Sequence, residues 1–278
     1  MPESKIARML ACKLTCLQAC FYSSKHACRA AGLLATLHFC LPVAKQAVRQ
    51  VYMAKIIAVA NTKGGVGKST TAVHLAAWLS EQGHSVLLAD CDTQHSSSEW
   101  ISEACPDVKT VLLEKPNDIL NELPSLAQDV DYVVADGPGS QTETSRALLL
   151  RADLAIVPCK ASLLETRALA KATEVLRQAQ DIRGGLPHAI IVLSMVGKRY
   201  RLTKDMIDAA AALNLPMATT PLVLRQIYAD APGQGMVVWQ MGARAGDASV
   251  EAKKLFAEIL PEAELQVSIS NRKKRKSA

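Results

Sequence analysis

From residue 53 onward, short apolar runs alternate with longer segments in which apolar residues recur at helical spacing. This alternation is typical of βαβ units, in which helices connect neighbouring parallel strands. The apolar runs predict strands over 55–61, 85–90, 110–113, 132–136, 154–158, 189–194 and 217–220. The longer segments predict helices near 69–81, 142–151, 163–179, 202–212 and 249–259. We therefore expect an α/β fold in which helices flank a mostly parallel sheet.

The composition supports a single domain of this class. The chain has 278 residues, of which 49% are hydrophobic and only 4% are aromatic. A chain of this length can bury one sizeable core, and single α/β domains of roughly 200 to 250 residues are ordinary. The shortage of aromatic residues suits helices packed closely on a parallel sheet better than an aromatic-rich sandwich or barrel.

The net charge of +6 is concentrated at the two ends of the chain. Residues 1–52 contain seven Lys or Arg and a single acid, Glu3, whereas the body of the chain is net negative. A second basic run lies at the C-terminus and consists of Arg272, Lys273, Lys274, Arg275 and Lys276. No aromatic residue interrupts this run, so contact with DNA phosphates is its expected use, and a solvated tail is the alternative.

Residues 1–52 do not fit the strand and helix pattern. Their apolar stretch over 30–44 is shorter than the ~20 residues that span a bilayer, and His38 and Pro42 interrupt it. A signal peptide would also need a clear cleavage site of small residues, which is missing. Because a strand is predicted to begin at Lys55, we expect Met53 to be the true start. The domain is then expected over 53–262, followed by a basic tail over 263–278.

A glycine-rich segment lies between the first predicted strand and the first predicted helix. Its glycines allow the backbone to curl around phosphates and to present N–H donors at a helix N-terminus. Lys68 would reach the β and γ phosphates, and the Ser69 hydroxyl would ligate Mg²⁺. The sequence therefore predicts a phosphate-binding loop composed of Gly64, Gly65, Val66, Gly67, Lys68, Ser69 and Thr70.

Acidic residues follow two further strands. Asp90 and Asp92 follow the strand over 85–90, and Asp136 ends the strand over 132–136, ahead of Gly-Pro-Gly. Loops at the carboxyl ends of parallel strands meet at one edge of the sheet, where such folds bind ligands. We therefore expect these acids, the glycine loop and residues 195–198 to converge. Asp136 would hold a Mg²⁺-bound water, as the acid of a Walker B segment does.

The string KGGVGKST, with Lys63 directly before the glycines, resembles the deviant Walker A motif of the ParA/MinD family. VLLADCDTQ resembles the second acidic motif of that family, although Thr93 replaces its usual proline. Together with DGPGS and RQIYADAP, these motifs resemble the small plasmid-type ParA proteins that lack an N-terminal DNA-binding domain. The resemblance covers nearly all of residues 53–260.

This resemblance implies an ATPase of the P-loop NTPase fold, with ATP and Mg²⁺ as cofactors and slow intrinsic hydrolysis. Lys63 would reach the ATP of the other subunit in a sandwich dimer, and Asp92 would position or deprotonate the attacking water. The catalytic residues are then Lys63, Lys68 and Asp92. The expected metal ligands are Ser69, Asp90 and Asp136. Lys63 and Pro221, the latter in a segment near the adenine, join the phosphate loop as cofactor-binding residues.

The function that the resemblance implies is DNA partition. An ATP-closed homodimer would bind DNA without sequence choice, and a ParB-like partner would stimulate hydrolysis. Arg225 matches a basic position linked to DNA contact in relatives, although an ordinary surface arginine explains it equally well. A cytoplasmic, nucleoid-associated location without stable membrane association is expected.

Two alternatives stay open. A MinD-like membrane-associated positioning ATPase needs a C-terminal amphipathic helix, whereas the tail offers only Leu265, Val267 and Ile269 before its basic run. A metabolic ATP-dependent enzyme of the same fold would dedicate further polar residues to a small substrate, and the sequence reveals none.

Overall fold

Six parallel strands form the central sheet of the computed structural model, which describes residues 55–139, 143–160, 163–197, 210–211 and 215–263. The strands are β1 (Lys55–Val59), β2 (Val86–Asp90), β3 (Lys109–Leu112), β4 (Tyr132–Asp136), β5 (Leu154–Lys160) and β6 (His188–Ser194). Their order in the sheet is β3-β2-β4-β1-β5-β6. β1 thus lies between β4 and β5, and β4 lies between β1 and β2.

The helices cover both faces of this sheet. They are α1 (Lys68–Glu81), α2 (Ser96–Ala104), α3 (Pro116–Leu126), α4 (Glu143–Leu149), α5 (Leu163–Ile182), α6 (Gln226–Gly233) and α7 (Gly246–Ile259). Alternate residues of β1 point to opposite faces, as a strand requires. Ile57 and Val59 pack in the cluster that contains α1 and α7, whereas Ile56 and Ala58 pack in the cluster that contains α3 and α4.

The predicted α/β fold with its parallel sheet is confirmed, and the six strands lie within two residues of their predicted bounds. The seventh predicted strand, over 217–220, is wrong. Met217 makes only an isolated bridge to Ile191, and the next bridge is formed by Val223 with Val196. Pro221 lies between these two bridges and lacks the N–H that a continuous ladder needs.

Three helices were missed by the sequence pattern. α2 begins with three serines, α3 contains Pro124 in its last turn, and α6 contains Pro232, and such residues weaken a helical signal. The predicted helix over 202–212 lies largely outside the described residues. Residues 1–52 and the basic tail also lie outside them, so the predicted domain boundaries stay predictions.

His74 lies at the centre of the contact between α1 and the C-terminal part of the fold. Its side chain is buried, and its Nε2 lies 3.1 Å from the backbone nitrogen of Val238. Because that N–H can only donate, Nε2 is the acceptor, and the ring proton is on Nδ1, which donates to the Thr70 carbonyl at 2.7 Å. The ring also makes edge contacts with Trp100, Tyr228 and Trp239, at centroid distances of 5.3, 5.5 and 5.4 Å.

The neutral state of His74 makes the fold sensitive to acid. Burial lowers the pKa of the ring to about 4, whereas an unfolded histidine titrates near ~6.5. As the pH falls below ~6.5, the unfolded state binds a proton that the folded state does not, so the free energy of unfolding falls. We expect this residue to account for a loss of about 2 kcal/mol between pH 8 and pH 5.

Urea unfolding of the wild type and His74→Asn at both pH values measures this contribution. The variant is expected to lose less stability than the wild type on acidification, since the other histidines are common to both proteins. An equal loss in the two proteins would contradict the assignment.

Candidate functional site

The site lies at the carboxyl edge of the sheet, where β1, β2 and β4 end side by side. Asp136, the last residue of β4, is in register with Val59 of β1 and with Asp90 of β2. The loop after β6 reaches the same place, because a side chain added at Gly67 would lie 3.7 Å from Met195 Cε. The expected convergence of these loops is therefore observed for their described residues.

The glycine loop after β1 adopts a shape that requires glycine. Gly65 and Gly67 have φ angles of 68° and 87°, in the left-handed region that other residues rarely adopt. Gly67 is the N-cap of α1, and no side chain caps this helix end. The first N–H groups of α1 therefore point out of the helix without an intrahelical partner, as they do at helix N-termini that bind phosphate.

Two side chains that the sequence analysis did not identify hold this loop in place. Ser194, at the end of β6, is buried and donates a 2.7 Å hydrogen bond to the Val66 carbonyl. Asn61 accepts a 2.9 Å bond from the Lys63 N–H and donates a 2.7 Å bond to the Pro158 carbonyl. The loop is thereby anchored to both β5 and β6, and the only sequence signal would have been polar residues at strand ends.

Lys68 lies inside the loop, and only 7% of its surface is exposed. Its Nζ donates to the Lys63 carbonyl at 3.4 Å, a long bond for an ammonium group. Desolvation lowers the pKa of Lys68, while the charges of Asp136 and Asp92 oppose that shift. A buried cation held in this way favours an anionic ligand, which is what ATP phosphates supply.

Gly139 allows the loop after β4 to approach this lysine. A Cβ at this position would lie 3.3 Å from Lys68 Nζ and 3.4 Å from the Cα of Gly64. The distance to Nζ is tighter than most Cβ contacts, so a larger residue here would displace the end of the lysine side chain.

Asp136 is a buried acid of the site, and its carboxylate oxygens lack hydrogen-bond partners among the described residues. Its exposure is 1%, and among the described residues neither carboxylate oxygen has a partner at hydrogen-bonding geometry. Burial raises the pKa of Asp136 to about 7, an effect that interactions with the Ser69 and Ser97 hydroxyls partly oppose. The buried Ser97 hydroxyl likewise has no hydrogen-bond partner among the described residues.

These orphaned oxygens fit a hydrated Mg²⁺ ion. Magnesium prefers oxygen ligands and usually keeps several of its waters, which can bond to nearby carboxylates. Ser69 would supply a hydroxyl ligand beside the phosphates, and Asp136 would accept hydrogen bonds from the waters of the ion. The ion would also supply charge that stabilises the buried carboxylate.

Asp90 and Asp92 have different surroundings, although only one residue separates them. Asp90 is fully buried and accepts backbone N–H bonds from Asp92, Ser97 and Ser98, at 3.1, 3.2 and 2.9 Å. It therefore fixes the loop between β2 and α2. Asp92 is only half-buried, and one of its oxygens accepts the Gln94 N–H at 3.1 Å. The predicted role of Asp90 toward the metal and the catalytic role of Asp92 stay predictions.

Lys63 and Pro221 lie at the outer part of the site. Lys63 is exposed, in contrast to Lys68. Pro221 is half-buried in a segment that runs beside β6, where the Leu222 N–H bonds to the Leu193 carbonyl at 2.8 Å. This segment ends at the same sheet edge as the phosphate loop, and the adenine contact of Pro221 stays a prediction.

Arg225 is engaged within the chain. Its side chain is 17% exposed and forms ion pairs with Glu251 and Asp247 of α7, the latter at 3.3 Å. Hydrogen bonding to Glu251 is the main cause of its raised pKa. Any DNA contact by this arginine would therefore compete with two carboxylates. The basic run over 272–276 lies outside the described residues.

Comparison with known proteins agrees with this geometry. Residues 57–238 match the sequence family described as the CobQ/CobB/MinD/ParA nucleotide binding domain. The chain belongs to this family.

Similar proteins include the maintenance of carboxysome distribution protein A of Halothiobacillus neapolitanus, which is 29% identical over 209 residues, covering 74% of this chain and 96% of the relative. Protein ParA of Rhizobium radiobacter is 27% identical over 210 residues, covering 73% and 94%. The solved structure of apo McdA from Cyanothece has a TM-score of 0.62 at 19% identity, covering 74% and 99%.

The chain is thus an ATPase of the ParA/MinD type that uses ATP and Mg²⁺, as the motifs predict. Within the described part of the chain, no helix is long and apolar enough to cross a bilayer.

The substitution Asp136→Asn tests the proposed magnesium contact. We expect the variant to bind ATP in EDTA like the wild type, because the phosphate loop and Lys68 are intact. The gain in affinity on adding Mg²⁺ should fall at least about tenfold, since the amide carries no charge to hold the metal waters. Calorimetric titration with ATP, with and without Mg²⁺, measures both quantities.

Asp107→Asn is the matched control, since Asp107 is an exposed acid outside the site. If Mg²⁺ raises the ATP affinity of Asp136→Asn as much as that of the wild type, Asp136 does not contact the hydrated metal.

Proposed function

We propose that this chain is an ATP-switched DNA partition protein: ATP closes a homodimer, the dimer binds DNA without sequence choice, and a ParB-like partner stimulates hydrolysis. The observation that carries the proposal is the different placement of the two lysines of the loop. Lys68 is buried beside the expected phosphates, whereas Lys63 is exposed at the face of the same loop. A lysine at that face is positioned to reach a nucleotide bound by a second copy.

Exposed apolar residues at this edge support the dimer. Met195 is 36% exposed beside Gly67, and Leu224 is 62% exposed in the segment that continues from Pro221. The Leu224 N–H bonds to the Val196 carbonyl at 2.7 Å, so both apolar side chains belong to adjoining loops. A face-to-face dimer would bury them together with the nucleotide, which favours association through the hydrophobic effect.

The charge distribution supports DNA as a partner of the dimer and not of the monomer. The body is net negative and would repel DNA, whereas the run Arg272 to Lys276 is strongly basic. One short basic tail binds weakly at physiological salt. A dimer presents two tails, and linking them raises the effective concentration of the second contact. The ATP-bound dimer would therefore associate with the nucleoid.

A second candidate function is the positioning of a protein cargo. The relative from Halothiobacillus neapolitanus is named for maintenance of carboxysome distribution and matches this chain over 96% of its length. The same ATP switch and the same DNA-bound dimer would serve such a cargo, but the protein that stimulates hydrolysis would be a cargo adaptor. Stimulation of the ATPase by a centromere-binding protein encoded beside this chain would favour partition.

The substitution Lys63→Ala tests the dimer. With a slowly hydrolysed ATP analogue, we expect the wild type to sediment as a dimer and the variant as a monomer. The affinity of the monomer for the analogue should change less than about threefold, because the target of Lys63 is the nucleotide of the other subunit.

Lys254→Ala, which removes an exposed lysine of α7, is the control and should dimerise normally. Dimerisation and hydrolysis at wild-type levels in Lys63→Ala would rule out the sandwich arrangement.

Gel-shift experiments on unrelated DNA duplexes test the switch. We expect binding with ATP and little binding with ADP. If about four phosphates are neutralised, raising the salt from ~50 to ~200 mM should weaken binding roughly a hundredfold. Deletion from Asn271 onward should remove most of the affinity.

Equal binding with ATP and ADP would refute the switch. If Arg225→Gln loses DNA binding and the C-terminal deletion does not, the DNA-binding surface lies at α6 and α7 and not at the tail. Binding to anionic vesicles in place of DNA would support the membrane-associated alternative.

A further inference from the structure

Three helices that border the expected ATP site meet at His74. α1 begins in the phosphate loop, α2 begins where Asp90 accepts backbone bonds, and α6 follows the segment that contains Pro221. Their side chains Trp100 and Tyr228 contact the His74 ring. The His74 ring, which is part of α1, is therefore in contact with side chains of the other two helices.

The hydrogen bonds of His74 connect the first turn of α1 to the turn over 237–240. Thr70, whose carbonyl accepts from Nδ1, is the second residue after Lys68 and belongs to the same helical turn. Val238, whose N–H donates to Nε2, lies in a turn that Gln240 also stabilises. Gln240 accepts the Val237 N–H and donates to the Ala104 carbonyl of α2, each at 2.8 Å.

The turn over 237–240 is therefore held by side chains of several elements, and His74 of α1 bonds to it. Trp100 donates from its indole N–H to the Met236 carbonyl at 2.8 Å, and Tyr228 donates from its hydroxyl to the Ala248 carbonyl at 3.2 Å. These contacts join α2, α6 and α7 around the same turn. The His74 ring joins the first half of α1 to this turn, while the far end of α1 contacts α7 through the Glu81–Lys253 ion pair and the Trp78–Phe256 ring contact.

We propose that His74 is a positioning residue of the ATP site: it joins α1 to the turn over 237–240 through the Val238 N–H and so sets the first turn of α1 relative to Asp90 and Asp92. The first turn carries Lys68, Ser69 and the N–H groups that face the phosphates. A shift of well under 1 Å in this turn changes every phosphate contact at once. The inference rests on the phosphate loop being the ATP site and does not depend on the dimer or on DNA.

Two substitutions separate the two hydrogen bonds. In His74→Asn, the amide nitrogen is attached to Cγ like Nδ1, so the bond to the Thr70 carbonyl can be kept and the bond to Val238 is lost. In His74→Gln, the amide oxygen is as far along the side chain as Nε2, so the bond to Val238 can be kept and the bond to Thr70 is lost. Each variant loses one buried bond, so we expect both to be destabilised to a similar degree.

We expect the affinity for MgATP to distinguish the two variants. His74→Gln should bind within about threefold of the wild type, because it keeps the bond between α1 and the turn over 237–240, whereas the Kd of His74→Asn, which loses that bond, should rise about tenfold. The rate at saturating ATP should change less than about threefold in both. Unfolding by urea is measured alongside, so that affinity can be compared with stability.

Equal affinity in the two variants, or affinity that follows stability alone, would overturn the proposal and leave His74 as a packing residue. Lys68→Ala serves as the reference for the ATP site. If this variant binds MgATP with wild-type affinity, the assignment of the phosphate loop as the ATP site is wrong. That outcome can be told apart from a wrong assignment of His74, which concerns only the two His74 variants. Should neither His74 variant fold, nitrogen NMR of the wild-type histidine rings provides the test. MgATP should shift the Nε2 resonance of His74, which reports on the bond to Val238, and an unchanged resonance would overturn the proposal.

Discussion

The buried carboxylate of Asp136 and the buried ammonium of Lys68 are the constraint on which the rest of this structure depends. Removing either charge from water is unfavourable unless partners replace the lost hydration. Within the described residues, Asp136 has no hydrogen-bond partner, and Lys68 has one long bond to a carbonyl. The opposite charges of Lys68 and Asp136 stabilise each other in part, and the Mg²⁺ ion and phosphates of MgATP would supply further opposite charge to both groups.

Such an arrangement requires a rigid support. The two charges lie at the end of β4 and the start of α1, and these elements pack in cores on both faces of the sheet. The phosphate loop is additionally fixed by Ser194 from β6 and by Asn61 through the Pro158 carbonyl. These contacts hold the loop against the ends of β5 and β6.

The same constraint explains the different character of the two lysines and the two acids of the motif. Lys68 and Asp90 are buried and define the inner geometry of the site, whereas Lys63 and Asp92 are more accessible. The accessible pair can respond to a second subunit or to a water molecule without disturbing the core. The proposed switch, which would close on ATP and open after hydrolysis, would use this division between a fixed inner part and an outer part that meets the second subunit.

The sequence by itself determined the features that depend on neighbouring residues. The glycine loop, the acids at strand ends and six strands follow from local patterns, because phosphate binding and strand formation require particular residues at short spacing. The family could be identified for the same reason, since its motifs are contiguous strings.

Only the tertiary structure decided which of these groups have partners. It showed that Asp90 is satisfied by backbone N–H groups while Asp136 is not, and that Arg225 is paired with acids of α7. It also identified Ser194 and His74, whose partners Val66 and Val238 are 128 and 164 residues away in the sequence. Burial and hydrogen bonding between such distant residues depend on how the helices pack on the sheet, and no local pattern in one sequence contains that information.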